Sequence, residues 1–175
     1  MSGTLQFWFD ASDPLSVIKD ANGKVSYWND KASNKHLAQA TAANQPTHGT
    51  RLSNGKTVMD FGGSAWMESI NTVLMQQSLF QLWVVAQVDS VNDENDSIFA
   101  YRETSNDYQF CAGHASNFYA QFKSDAGYGS TNTFSNGTDL KGKPMVIFIR
   151  EGKTVYINGV NKGSITGGKI GRAHV

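Results

Sequence analysis

The sequence predicts an all-β fold, arranged as an antiparallel two-sheet β-sandwich, and three observations carry that expectation. Nearly every apolar segment is short and rich in β-branched or aromatic residues. Most of these segments are bounded by Gly, Asn, Asp or Ser, the residues that turn a chain. Helical spacing is almost absent, and only residues 69–79 could hold a turn or two of helix. So many strands in one domain need a second layer, because an isolated sheet cannot hide its apolar side. A closed barrel is the alternative; irregular strand spacing and a long 29–56 loop favour the sandwich.

Taken in order, the expected strands are residues 5–9, 25–28, 57–61, 79–88, 97–101, 108–113, 118–123, 145–150 and 154–158. The run 149–155 reads as a hairpin, with Gly152 in a tight turn between two apolar arms, and 112–118 reads as a looser one. Alternation assigns faces. Phe118, Ala120 and Phe122 point one way, and Tyr119, Gln121 and Lys123 the other. From Phe80 to Val88 the even positions are all apolar, while the odd positions mix Gln81, Trp83, Val85 and Gln87. Such a strand has one face in a core and the other partly wet.

Composition narrows the function classes. The chain has 175 residues, 39% hydrophobic and only 17% charged, with 15 basic and 15 acidic residues cancelling to zero. That balance excludes a chain-wide cationic footprint for nucleic acid or an anionic membrane. A single cysteine, Cys111, excludes an intrachain disulfide framework and any multi-cysteine metal site. No basic stretch followed by a long apolar run marks the first ten residues as a secretory signal. The longest apolar stretches, 82–86 and 145–149, fall far short of the roughly 20 residues a membrane span requires.

The N-terminal third forms an ordered block. Phe7-Trp8-Phe9-Asp10-Ala11-Ser12-Asp13 is followed by Gly23-Lys24-Val25-Ser26-Tyr27-Trp28-Asn29-Asp30-Lys31. Ala38-Gln39-Ala40-Thr41, Gln45-Pro46-Thr47, Asn54-Gly55-Lys56 and Val58-Met59-Asp60-Phe61-Gly62-Gly63 come next. This succession, with the later Val155-Tyr156-Ile157-Asn158-Gly159-Val160, resembles the concanavalin-A-like, laminin-G-like jelly-roll domains of phage structural and bacterial surface proteins. The resemblance spans residues 5 to about 160 and implies a jelly roll that recognises carbohydrate at a virion or extracellular surface. The same residues have a local physical reading. Trp8 and Trp28 suit wedging under loops, and Asp10, Asp13, Asn29 and Asp30 suit ordering turns through Asx hydrogen bonds.

The family's jelly roll continues past the Asn-Gly hairpin into a last strand, whereas here Lys169-Ile170-Gly171-Arg172-Ala173-His174-Val175 follows. Those residues match the translation of a common sequencing adapter. The expectation is one jelly-roll domain over 1–169 without its last strand, and a non-native tail over 170–175. An unpaired sheet edge would result, closed by pairing between chains into a homo-oligomer, by the tail folding back, or left as marginal stability.

Catalytic patterns are missing. Retaining glycosidases of this resemblance carry Glu-x-Asp-x-x-Glu, which sets two carboxylates about 5 Å apart. The nearest approach, Glu94-Asn95-Asp96-Ser97-Ile98-Phe99, has Phe99 where the acid/base belongs. No Gly-x-Ser-x-Gly elbow occurs, and His36, His48 and His114 read as ordinary surface or loop histidines. Cys111 has no basic neighbour and reads as an inert strand thiol. No Walker loop or dinucleotide fingerprint is present. The chain is therefore expected not to be an enzyme and to need no cofactor.

Two binding chemistries remain. Asp89, Asp93 and Asp96 crowd one oxygen-rich loop, which makes them the candidate calcium ligands, although their spacing matches no strict calcium loop. Carbohydrate is the stronger candidate, because aromatic platforms beside amides and guanidinium groups match the C–H faces and hydroxyl edges of sugars. The candidate ligand-binding residues are Trp83, Tyr101, Arg102, Tyr119, Gln121 and Arg150, with Gln81, Gln87 and Tyr156 alongside. The expected partner is a glycan or polysaccharide, with no nucleic acid and no membrane insertion. A structural or protein-interaction module of a virion is the first alternative. A glycoside hydrolase with an unfamiliar site is the second.

Overall fold

A computed structural model describes residues 5–70, 81–89, 97–103, 106–112, 117–124, 127–136, 142–150 and 154–164, with the strands between 100 and 136 given by their backbone course. The described residues form fourteen strands, all paired antiparallel, and two 3-10 turns, with no α-helix among them. No helix among them is long and apolar enough to cross a membrane. The all-β expectation holds. The chain divides into two compact units, Met1–Leu74 and Met75–Val175.

The first unit holds β1 (Val17–Lys19), β2 (Val25–Trp28), β3 (Leu37–Ala38), β4 (Thr47–Ser53), β5 (Lys56–Asp60) and β6 (Glu68–Ser69). They form a sheet in the order β1-β2-β3-β6 and a β4-β5 hairpin. The hairpin turns on Asn54 and Gly55, both at positive φ, as an Asn-Gly two-residue turn requires. Residues 5–9 are not a strand, which corrects the sequence expectation. Their backbone groups bond elsewhere: the Trp8 N–H donates to Asp30 Oδ1 at 2.7 Å, and the Lys31 N–H donates to the Trp8 carbonyl at 2.8 Å. The span 29–56 is not one long loop either, since it contains β3, a 3-10 turn at Ala42–Asn44 and β4. Of the candidate helix, Ser69 closes β6 and residues 71–79 lie outside the described residues.

Polar groups hold much of this unit's interior. Asp30 is buried, and its carboxylate accepts from the N–H groups of Trp8, Ala32 and Lys35 and from the Ser33 hydroxyl. Its own N–H donates to His36 Nδ1 at 3.0 Å. Asp10 accepts from the N–H and hydroxyl of Ser12, Asp13 caps the Pro14–Ser16 turn, and Lys31 bridges to Asp13 at 2.8 Å. The Asx reading holds for Asp10, Asp13 and Asp30, each of whose carboxylates accepts a backbone N–H two residues on. His48 departs from expectation: it is buried, not a surface residue. Its Nε2 lies 2.8 Å from the Ala11 carbonyl and its Nδ1 3.2 Å from Lys19 Nζ. A carbonyl only accepts and an ammonium only donates, so the proton sits on Nε2. Gly23 allows the close approach beside it, because its φ is +79° and a Cβ there would lie 3.0 Å from the His48 carbonyl oxygen.

The second unit holds β7 (Gln81–Gln87), β8 (Ser97–Glu103), β9 (Asn106–Ala112), β10 (Asn117–Ser124), β11 (Gly127–Asn136), β12 (Pro144–Arg150), β13 (Thr154–Ile157) and β14 (Val160–Ser164). One sheet runs β11-β10-β9-β8 and the other β14-β13-β12-β7. The arms of both anticipated hairpins pair antiparallel, with Ala112 opposite Phe118 and Ile149 opposite Val155, while their connecting residues 113–116 and 151–153 lie outside the described residues. β13 passes to β14 through Asn158 and Gly159, again both at positive φ. In the β7-containing sheet the two-residue period is plain. Leu82, Met145, Ile147, Ile149, Val155 and Ile157 are buried, while Gln81, Trp83, Val85, Gln87, Val146 and Arg150 are exposed. Each fully buried aliphatic side chain contributes about 1.5–3 kcal/mol.

Two stability outcomes follow from these interiors. Asp30→Ala is expected to cost about 3 kcal/mol in denaturant unfolding, since four donors lose a charged acceptor. Burial alone raises the Asp30 carboxyl, but the Ser33 hydroxyl and the three N–H groups outweigh it and hold it below the ordinary 3.8. The ionised form therefore stabilises the folded state fully above that ordinary value, and the contribution is lost as pH falls through the lower folded value. Asp30→Asn should flatten the acid limb of a stability–pH curve; a limb as steep as wild type would contradict the assignment. In the second unit, Ile149→Ala is expected to cost about 2–5 kcal/mol, against about 0.5 or less for Val85→Thr on the open face, both read by the unfolding midpoint.

Candidate functional site

The outer face of the β14-β13-β12-β7 sheet gathers the side chains with binding chemistry. β12 is central, so its outward residues have a neighbour on each side, and cross-strand register turns single positions into rows. Phe148 stands opposite Trp83 on β7 and opposite Tyr156 on β13. The Trp83 and Phe148 rings stack with centroids 4.0 Å apart and planes 16° apart, and Phe148 and Tyr156 follow at 5.6 Å and 27°. Asn161 on β14 continues this aromatic row.

A polar row lies on one side of it. Arg150 stands opposite Gln81 and Thr154, and Thr154 opposite Ser164, their hydroxyl oxygens 3.2 Å apart. The Arg150 guanidinium carbon lies 5.9 Å from the Tyr156 ring centroid, within cation–π range. An aliphatic pair, Val85 opposite Val146, lies on the other side. Asn158 anchors that end, accepting from the Val146 N–H at 2.8 Å and donating its own N–H to the Val146 carbonyl at 2.9 Å.

Exposure shows where a ligand could touch. Both faces of the Phe148 ring are occupied by its neighbours, whereas Trp83, on an outer strand, remains 64% exposed. Val85 is 77% exposed. The free surface is thus the Trp83 indole, the edges of the two rings behind it, and the flanking Gln81, Arg150 and Thr154. This arrangement offers an apolar stripe with hydrogen-bonding groups along it and no nucleophile–base pair among its residues.

The sequence candidates separate accordingly. Trp83 and Arg150 meet on this face, together with Gln81 and Tyr156. Gln87 is on the same strand, with its amide on Asp89 Oδ1 at 2.7 Å. Tyr101, Arg102, Tyr119 and Gln121 belong to the other sheet: Tyr101 and Arg102 on β8, opposite Tyr108 and Asp107, and Tyr119 and Gln121 on β10, opposite Cys111 and Gln109. The six do not form one row. Phe148 was not among the candidates, although alternation in Met145-Val146-Ile147-Phe148-Ile149-Arg150 marks it as outward. Of the calcium candidates, Asp93 and Asp96 lie outside the described residues. Among the described residues no group of three or more His, Cys, Asp or Glu side chains could hold a metal.

Comparison with protein-family models, with curated proteins and with solved structures finds no match for this chain.

If the Trp83–Phe148 stack holds the row together, a double-mutant cycle of Trp83→Ala and Phe148→Ala should give a coupling of about 0.5–1.5 kcal/mol in unfolding free energy. Strict additivity would show the two rings to be independent.

Proposed function

We propose that this chain is a non-catalytic recognition domain that binds glycan on the outer face of the β14-β13-β12-β7 sheet. The single observation that supports this most is the stacked row Trp83–Phe148–Tyr156 with Arg150 and Gln81 beside it. A pyranose ring has an apolar C–H face, and the outward face of Trp83 is the platform for it. Its equatorial hydroxyls then fall toward the amide of Gln81, the guanidinium of Arg150 and the hydroxyl of Thr154. Neighbouring strands lie about 4.8 Å apart, so a sugar chain crossing them meets successive aromatic edges at each step. Because the chain carries no net charge, stacking and hydrogen bonds rather than long-range attraction supply the affinity. The all-β antiparallel architecture is compatible with the concanavalin-A-like, laminin-G-like jelly-roll sandwich that the N-terminal block resembles, and a place at a virion or extracellular surface accompanies that reading.

A second reading has its own observation. Val85 and Val146 sit side by side and exposed, which is what a protein-binding patch presents. A structural or protein-interaction module would use this apolar pair and leave the amides idle.

A glycan array followed by titration calorimetry separates the two. On the glycan reading a polysaccharide binds, Trp83→Ala weakens it by about tenfold or more, equivalent to about 1.4 kcal/mol, and Val85→Thr leaves it unchanged. No binding to any polysaccharide by the folded protein would retire the proposal in favour of the second reading. Release of reducing sugar from a bound polysaccharide would overturn the non-catalytic assignment.

A further inference from the structure

Three of the four Asn-Gly steps in the chain lie among the described residues: Asn22-Gly23, Asn54-Gly55 and Asn158-Gly159. Such a step has a chemistry of its own, because glycine has no side chain to keep its backbone nitrogen from the amide carbon of the asparagine before it. The fold treats the three differently. Asn158 is held twice: its Oδ1 accepts from the Val146 N–H at 2.8 Å, and its own N–H donates to the Val146 carbonyl at 2.9 Å. At Asn22-Gly23 the attacking nitrogen is engaged, since the Gly23 N–H donates to the Asp20 carbonyl at 3.1 Å. The same turn is fixed by the Asn22 and Lys24 N–H groups on Asp20 Oδ1 and by the His48 N–H on the Gly23 carbonyl. Asn54-Gly55 has no such ties. Both residues are exposed at the tip of the β4-β5 hairpin, which is a two-stranded sheet by itself. Neither the Asn54 amide nor the Gly55 N–H has a hydrogen-bond partner among the described residues. A Cβ built on Gly55 would meet nothing within 4 Å. The register slips between His48 and Leu52, so the tip is held by the pairs Leu52–Thr57 and Ser53–Lys56, and Leu52 is itself 68% exposed. A tip with so little buried apolar surface opens locally at low cost.

We infer that Asn54 is a site of spontaneous covalent modification, at which the folded chain deamidates ahead of Asn22 and Asn158. The Gly55 nitrogen gives its proton to hydroxide and attacks Asn54 Cγ. The N–Cγ bond forms, the Cγ–Nδ2 bond breaks, and the amide nitrogen takes a proton from water and leaves as ammonia. Water then opens the cyclic imide at either carbonyl, giving aspartate or isoaspartate with no change of oxidation state. Both products place a new carboxylate beside Lys56. The aspartyl form keeps an Asp-Gly step, which a two-residue hairpin turn accepts. The isoaspartyl form carries the main chain through one extra carbon, so that turn no longer fits and the Ser53–Lys56 end of the hairpin frays. At Asn158 the same attack first requires the bonds to Val146 to break, and at Asn22 it requires Gly23 to leave Asp20.

This inference stands apart from the glycan reading. Incubation of the intact chain at mildly alkaline pH, followed by tryptic digestion and mass spectrometry, tests it. Trypsin places the three steps in separate peptides, 20–24, 52–56 and 154–162. Replacement of the amide NH2 by OH in peptide 52–56 is expected to run about tenfold ahead of that in the other two, the factor that one or two retained hydrogen bonds supply. A second sample, digested before incubation, is the reference: without the fold, the three peptides should react at similar rates. Equal rates in the folded chain overturn the inference, and so does a lead by Asn22 or Asn158. A lead of peptide 52–56 that keeps its size after prior digestion also overturns it, because the local sequence and not the fold would then set the order.

Discussion

The strand β12 constrains everything on the candidate surface. It lies between β7 and β13, and Met145, Ile147 and Ile149 are all essentially removed from solvent on its inner side. Moving the strand by one residue would expose those three side chains and bury Arg150, a loss of several kcal/mol from apolar burial alone. The register is therefore held from inside. Phe148 has no freedom to be anywhere but outside, between Trp83 and Tyr156. The aromatic row is a consequence of the core beneath it, in the way a preformed binding surface rests on rigid elements and costs little to organise.

The two units solve the burial problem with different chemistry. In Met75–Val175 the described interior is aliphatic. In Met1–Leu74 Val17 and Val25 are joined by buried Ser16, Asp30, Gln39, Gln45 and His48. Those polar groups are tolerated because each meets a partner. Gln45 donates to the Gln39 carbonyl at 2.8 Å, Asp30 collects four donors, and His48 is held between Lys19 and Ala11. Such a network ties non-repetitive backbone into one conformation, since every member must be satisfied together. It also explains why a stretch with few regular strands is ordered.

Legibility in the sequence followed the same division. Residues 145–150 and 154–158 were readable because consecutive β-branched and apolar residues announce strands locally, and Gly152 between them announces their connection. The strand expected at 5–9 failed because its apolar residues carry no information about Asp30, 22 positions beyond Trp8, which takes the Trp8 N–H. β11 escaped notice for the opposite reason: Gly127–Asn136 is polar and glycine-containing, and it is a strand because β10 offers a ladder. On the site, Trp83 and Arg150 were legible as exposed groups of the right chemistry. Their separation from Tyr101, Arg102, Tyr119 and Gln121 was not.

Residue order alone thus settled the all-β class, the alternation of faces along β7 and β12, and the turn at Asn158-Gly159. These are short-range matters: a pleat repeats every two residues, and a positive-φ turn needs its Asn or Gly at that very position. Which strands lie side by side is a long-range matter, decided by whichever pairing best repays the closure of the intervening loops. That is why β7 joins β12 across more than fifty residues, and why Phe148 became the middle of an aromatic row that no local pattern describes.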